Sequence, residues 1–151
     1  MREIALAEEA RKVMHFSVAE SYPLEVAGIL IGHDGPGYVT KTSWVIAAIP
    51  FTRYEKRGMW SLTIEDARHL EDVVHMIYPD MDIVGGFHSH TRGVTTASQE
   101  DKEGIEEDDF ELVVSVWPGK RKPFRFVEKA YYKNLEGKIQ RVHLVKLFSH
   151  I

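Results

Sequence analysis

The strongest constraint on this chain is a change of apolar period in mid-sequence. From Thr63 to Tyr78, Ile64, Ala67, Leu70, Val74 and Ile77 recur at the spacing that puts them on one helix face, with Glu65 and Asp66 in the first turn. Pro79 follows, and Asp82 to His90 then reads as a strand, buried at Ile83 and Val84. A helix with one apolar stripe has to bury it, and a neighbouring sheet is the natural partner.

The same alternation recurs along the chain. Leu6 to Tyr22 reads as a helix, with Leu6, Ala10, Val13, Ser17 and Tyr22 near one face and Pro23 ending it. Val26 to Ile31 has strand length, His33 to Gly37 reads as a turn, and Tyr38 to Ile49 is the hairpin partner. Pro50 to Ser61 is mixed and turn-like. Ser98 to about Glu107 reads as a short helix with Gly104 near its end, and three strands follow at Phe110–Trp117, Phe124–Tyr132 and Ile139–Phe148. Hairpins and helical crossovers together predict an α/β fold with a mixed β-sheet flanked by helices, as one domain over residues 1–151.

Composition removes several function classes. The net charge of −4 and pI near 6.1 carry no basic footprint for nucleic acid. There is no cysteine, which excludes disulfides, thiolate metal sites, iron–sulfur clusters and a cysteine nucleophile. Any metal has to be held by His, Asp or Glu. No run approaches 18 apolar residues and the first residues carry acids early, so neither a membrane span nor a secretory signal is expected, and the expected compartment is the cytoplasm. Asn occurs once and Gln twice, a composition that leans towards a thermophilic source.

The informative segment is Gly85 to Asp101. His88 and His90 stand at i and i+2 at the end of the predicted strand, so alternation puts both imidazoles on one face. Asp101 lies across a loop long enough to fold back, in the first turn of the predicted helix. Two His and one carboxylate, with a fourth position left for water, is a common catalytic zinc arrangement, and zinc is the expected metal at one ion per chain. Random placement would produce this His, His, Ser and Asp spacing about once in a thousand such sequences. Ser98 with Asp101 is also a helix-start pattern, and a capping hydroxyl still has its own O–H to donate. Glu25, read alone, is an ordinary solvated strand end.

H-x-H-x7-S-x2-D, preceded by Pro23-Leu24-Glu25-Val26-Ala27-Gly28-Ile29-Leu30-Ile31-Gly32, resembles the JAB1/MPN/Mov34 metalloenzymes, also called JAMM or MPN+ proteases. The single-domain length and the composition point to a prokaryotic, archaeal-type member. The resemblance implies the MPN fold, which is cytidine-deaminase-like. It implies His88, His90 and Asp101 as zinc ligands, Glu25 as general acid/base and Ser98 as donor to the oxyanion. It further implies hydrolysis of an amide between the C-terminus of a ubiquitin-like modifier and a lysine or peptide amine, and a modifier tail held as an added strand at an exposed edge near the metal. Phe87 stands where many members have Trp or Tyr, and Thr91 where many have Pro. Both departures bear on loop shape and substrate fit more than on chemistry.

Pro50 to Ser61 occupies the place of a substrate-contacting insertion in related enzymes. There Phe51, Tyr54 and Trp60 either contact the modifier or fold back onto the core. The other six His residues read as solvated or packed imidazoles. Two rivals remain: a non-catalytic MPN scaffold or dimer partner, a kind of module that typically loses the zinc ligands this chain retains, and a RadC-like protein with a similar metal motif. A cytidine deaminase would need P-C-x-x-C and a zincin would need H-E-x-x-H, and neither occurs. A symmetric homodimer is a common state for a soluble protein, although no patch in the sequence marks an interface.

Overall fold

The computed structural model describes residues 2–36, 41–51, 64–91, 97–119 and 122–147. Among these residues, seven strands and three helices follow in the order β1 (Arg2–Ala7), α1 (Glu8–Ser21), β2 (Ala27–Pro36), β3 (Lys41–Pro50), α2 (Ile64–Ile77), β4 (Asp82–His90), α3 (Gln99–Gly104), β5 (Phe110–Gly119), β6 (Lys122–Lys133) and β7 (Ile139–Leu147). The sheet is mixed, as expected, but it closes on itself as a barrel in the order β1-β3-β2-β4-β5-β6-β7. Strands β1 and β3, β4 and β5, and β7 and β1 run parallel, and the remaining neighbours are antiparallel. The α/β description therefore holds only roughly: helices flank the sheet, but strand predominates.

Closure depends on an element that the periodicity hid. Arg2–Ala7 is a strand, not a lead-in to α1, and it pairs with β3 on one side and β7 on the other. Leu6 fits a helical stripe with Ala10 and equally fits strand alternation with Ile4, and both Ile4 and Leu6 are fully buried. Helix α1 then buries Ala10, Met14 and Val18, while Val13 stays 42% exposed. A second correction concerns His33 to Gly37. Strand β2 continues to Pro36, paired with β3 down to Lys41, and Asp34 is held by Ser43 and Arg2. The hairpin turn itself lies outside the described residues.

Two faces of the sheet do different work. One packs on α1: Met14 and Val18 join Leu30, Phe87, Leu112, Val114 and Val116 in the main core. The opposite face carries α2, where Val74 and Leu70 pack on Ile29 and Ile31, and the smaller cluster of Ala97, Ile105, Val113 and Tyr131 next to α3. The expected α2 stripe stops short, since Ile77 is 65% exposed at the helix end.

Phe87 belongs to the main core with no exposed surface, so its difference from Trp or Tyr does not reach a substrate. Its ring lies so close to Gly28 that a Cβ there would collide with the ring and with the Ile49 carbonyl oxygen. Phe51 packs on the α2 cluster, in keeping with folding back onto the core. Tyr54 and Trp60 lie outside the described residues.

Candidate metal centre

Strand β4 spans Asp82–His90, as expected, and its last turns of pleat deliver His88 and His90 to the face that bears α2 and α3. Helix α3 supplies the third group. Ser98 is its N-cap, its Oγ accepting the Asp101 backbone N–H at 3.0 Å, while Asp101 Oδ2 accepts the Ser98 N–H at 2.8 Å. This reciprocal capping box fixes the Asp101 side chain without any metal.

The three groups converge. His88 Nε2 lies 3.2 Å from His90 Nε2 and 3.2 Å from Asp101 Oδ1, and His90 Nε2 lies 3.0 Å from Asp101 Oδ2. Donors about 2.0–2.1 Å from one tetrahedral ion stand about 3.3 Å apart, so the spacing and the donor chemistry both suit a single divalent cation. His88 and Asp101 are buried and the His90 side chain is only 12% exposed. Three of the five expected site residues are thus brought together as one cluster able to hold a metal ion.

A fourth member was not anticipated. His88 Nδ1 lies 2.8 Å from Glu111 Oε1 on β5, and Glu111 is 4% exposed. In the arrangement a ligand needs, Nδ1–H donates to this carboxylate and the Nε2 lone pair is left for the metal. The sequence carries a trace of this role: Glu111 is a charged residue at the start of the apolar strand FELVVSVW, where a charge needs a partner. The β4–β5 register, which sets Gly86 against Glu111 and His88 against Val113, makes the contact, and spacing alone does not reveal it.

The electrostatics favour a cation at this point. Burial works against a charged His88, but Asp101 and Glu111 outweigh it and push the imidazole up to about 10. Burial also opposes ionisation of Asp101, yet His88, His90 and the Ser98 amide hold its carboxyl far below the ordinary carboxylate range. Among the described residues, buried His90 Nδ1 has no hydrogen-bond partner.

Glu25 lies in the segment between α1 and β2, half-buried. Its neighbour is tied to the ligand strand at two points: the Val26 N–H donates to Ser89 Oγ and the Ser89 N–H donates to the Val26 carbonyl, both at 2.8 Å. Ala27 pairs with His88, so Glu25 is two residues from the partner of a candidate ligand. Among the described residues no other imidazole joins this cluster, and His150 lies outside them. His15 stacks on Phe126 at 3.9 Å, His75 pairs with Asp82 at the surface, and His33 and His143 are exposed.

Comparison with known proteins agrees with this geometry. The model of the family described as prokaryotic homologs of the JAB domain matches residues 7–128. No curated protein sequence matches the chain significantly. Among solved structures, a protein from Desulfitobacterium hafniense is similar with a TM-score of 0.70 at 20% identity, covering 97% of this chain and 94% of that one. A protein from Salinibacter ruber gives 0.63 at 21% identity, covering 94% and 91%. A JAB1/MPN domain protein from Archaeoglobus fulgidus gives 0.50 at 16% identity, covering 95% and 98%. At these identities the neighbours show the fold alone, while the family match spans most of the sequence. The chain belongs to the prokaryotic homologues of the JAB domain.

Proposed function

We propose that this chain is a zinc-dependent isopeptidase that hydrolyses the amide bond between the C-terminus of a ubiquitin-like modifier and a lysine or peptide amine. The observation that supports this reading is the buried His88, His90 and Asp101 trio, with donor atoms 3.0–3.2 Å apart, in a chain of this family. Two imidazoles and one carboxylate suit zinc at one ion per chain, which when bound supplies Lewis acidity towards water and the scissile carbonyl.

The chain's own residues do the rest. Glu25 accepts a proton from the attacking water and returns it to the departing amine. The Ser98 hydroxyl, one lone pair already committed to the Asp101 amide, keeps its O–H for the developing oxyanion. One such donor typically contributes about 3 kcal/mol to lowering the barrier. Glu111 holds His88 in the tautomer that presents Nε2. Among the described residues no helix is long and apolar enough to cross a membrane, and a cytoplasmic setting is part of the same proposal.

The test is cleavage of a lysine-linked ubiquitin-like conjugate by the wild type, by Glu25→Ala and by the wild type with a chelator, with bound zinc measured alongside. Cleavage abolished by both perturbations is the expected result. Zinc bound at one per chain without cleavage of any conjugate would point instead to a metal-bearing scaffold. Absence of zinc would overturn the ligand assignment.

A further inference from the structure

The capping box at the start of α3 is closed on itself. The Ser98 N–H goes to Asp101 and the Asp101 N–H goes to Ser98. This fixes the two residues relative to each other and leaves open how the turn sits on the barrel. Ser98 is exposed, so packing does not orient its hydroxyl. Two contacts do. The Asp101 carboxylate, 3.2 Å from His88 and 3.0 Å from His90, is one fixed point. The other is one residue before the cap, where the buried Ala97 N–H donates to the Tyr131 hydroxyl at 3.1 Å.

Tyr131 is itself held firmly. It pairs with Glu111 of β5 on one side and with Arg141 of β7 on the other. Directly paired residues share a face of the sheet. Gly86 pairs with Glu111, so Tyr131 stands on the face that His88 shares, two strand spacings or about 10 Å from β4. Its ring is buried against Ala97, Ile105 and Val113. The Lys102 ammonium and the Arg141 guanidinium lie 6.0 and 5.6 Å from the ring centre. Backbone and ring are thus both fixed, and the hydroxyl has a defined place. Apolar packing is non-directional, whereas a hydrogen bond sets both distance and angle.

We propose that Tyr131 is a positioning residue: its hydroxyl pins the entry of α3 to β6 and so aims the Ser98 O–H at the substrate oxygen beside the metal trio. With Asp101 as the one anchor, the turn can swing about it. With Ala97 held as well, Ser98 stands between two fixed points. A displacement of ~1 Å at a reacting group can cost about a hundredfold in rate. The same bond also satisfies a buried phenol, which is a contribution to stability. The two roles separate in a double-mutant cycle. A loss of stability acts whether or not Ser98 is present, whereas aim matters only while there is a hydroxyl to be aimed. The proposal rests on the isopeptidase reading for the role of Ser98.

The experiment loads the full chain with zinc and compares wild type, Tyr131→Phe, Ser98→Ala and the double variant. One readout is kcat and KM for cleavage of a lysine-linked ubiquitin-like conjugate. The other is the affinity of acetohydroxamate by calorimetry, because its anionic oxygen offers the Ser98 O–H an acceptor without turnover. Phe keeps the ring and removes the oxygen alone. Tyr131→Phe is expected to lower kcat at least tenfold, with KM and zinc affinity within twofold of wild type. The double variant is expected within twofold of Ser98→Ala in both readouts. Ile105→Val loosens the same cluster but keeps the hydrogen bond, and is expected to keep the wild-type kcat. Losses that multiply in the double variant, or an equal fall in kcat in Ile105→Val, would overturn the positioning role. Wild-type kcat in Tyr131→Phe would overturn it too and leave the isopeptidase reading standing. If the wild type cleaves no conjugate, the isopeptidase reading fails and acetohydroxamate decides. Severalfold weaker, non-additive binding in Tyr131→Phe and Ser98→Ala would uphold the aiming of the hydroxyl, and equal binding would overturn it. Absence of bound zinc would overturn both.

Discussion

Glu111 and Glu128 stand on adjacent strands, are equally deep, and each meets a histidine, yet they behave in opposite ways. The Glu111 side chain is 5% exposed and lies 2.8 Å from His88; that of Glu128 is 4% exposed and lies 2.6 Å from His15. Burial pushes Glu111 up, and its one imidazole does not cancel that, with the Asp101 charge adding to the rise. Burial pushes Glu128 up as well, but His15 and Arg11 together outweigh it and hold the carboxyl below its ordinary value. The difference is one permanent cation. Arg11 Nε reaches Glu128 Oε1 at 2.6 Å, whereas no Arg or Lys is paired with Glu111 among the ion pairs of the described residues. A buried carboxylate with a full complement of positive charge fastens α1 to β6. One that is a charge short, beside a second carboxylate and two imidazoles, marks a place for an ion.

The largest test of that contrast removes the fastened carboxylate. Glu128→Ala leaves Arg11 and His15 without their partner. It should cost towards the low end of the ~3–5 kcal/mol seen when a buried pair is broken, because Arg11 keeps some contact with water. At about 2–4 °C per kcal/mol for a chain of this size, the melting temperature should drop by roughly 10 °C. Metal affinity should be unchanged, and a fall in affinity would break the comparison. Since Glu128 titrates below its ordinary value, its contribution is complete above about pH 4.5 and disappears as the pH falls through the lowered native value. In Glu128→Gln the acid limb of the stability profile should accordingly flatten.

Glu111→Gln probes the other side. Gln keeps an acceptor for His88 but removes the charge, and metal affinity should fall about 10–100-fold by chelator competition. The melting temperature of the metal-free protein should move far less than in Glu128→Ala. An equal loss of stability in the two variants would show that both carboxylates are structural.

The next effect is proton competition. With His88 raised to about 10, the ion displaces a proton at any pH below that value. Apparent affinity should climb about tenfold per pH unit between pH 6 and 9, measured by competition in matched buffers. A flat profile would show that His88 is not a ligand. Smallest is the cap: Ser98→Ala should cost about 1 kcal/mol of stability, and Thr at this position should restore most of it. Retained hydrolysis in Ser98→Ala would confine the hydroxyl to capping.

The legible parts of this protein were those whose signal is local. Asp82–His90 could be delimited because Pro79 and the polar residues after His90 punctuate an apolar run, and Ser98 could be placed because a capping box needs only four residues. What resisted reading depends on partners distant in sequence. Arg2–Ala7 is a strand only because β3 and β7 receive it from both sides. Glu111 reaches His88 across 23 residues through a strand register that no local pattern encodes. The departure at Phe87 was read as bearing on loop shape and substrate fit, and only the sheet register shows that its ring packs on Gly28. Val13 and Ile77 fell within helical stripes but beyond the reach of the sheet that was to cover them.

The capping box at Ser98 carries a dynamic consequence. Helix α3 has six residues, too few to persist on intrinsic propensity, so its first turn owes its order to the cap and to the packing of Ala97 and Ile105. The same Asp101 carboxylate that closes the cap faces His90. An ion that grips Asp101 selects the wound turn over the frayed one, so fraying and ion release become a single linked equilibrium. Hydrogen exchange at the Asp101 and Lys102 amides should then slow in step with metal saturation, making this short turn a reporter of occupancy that needs no substrate at all.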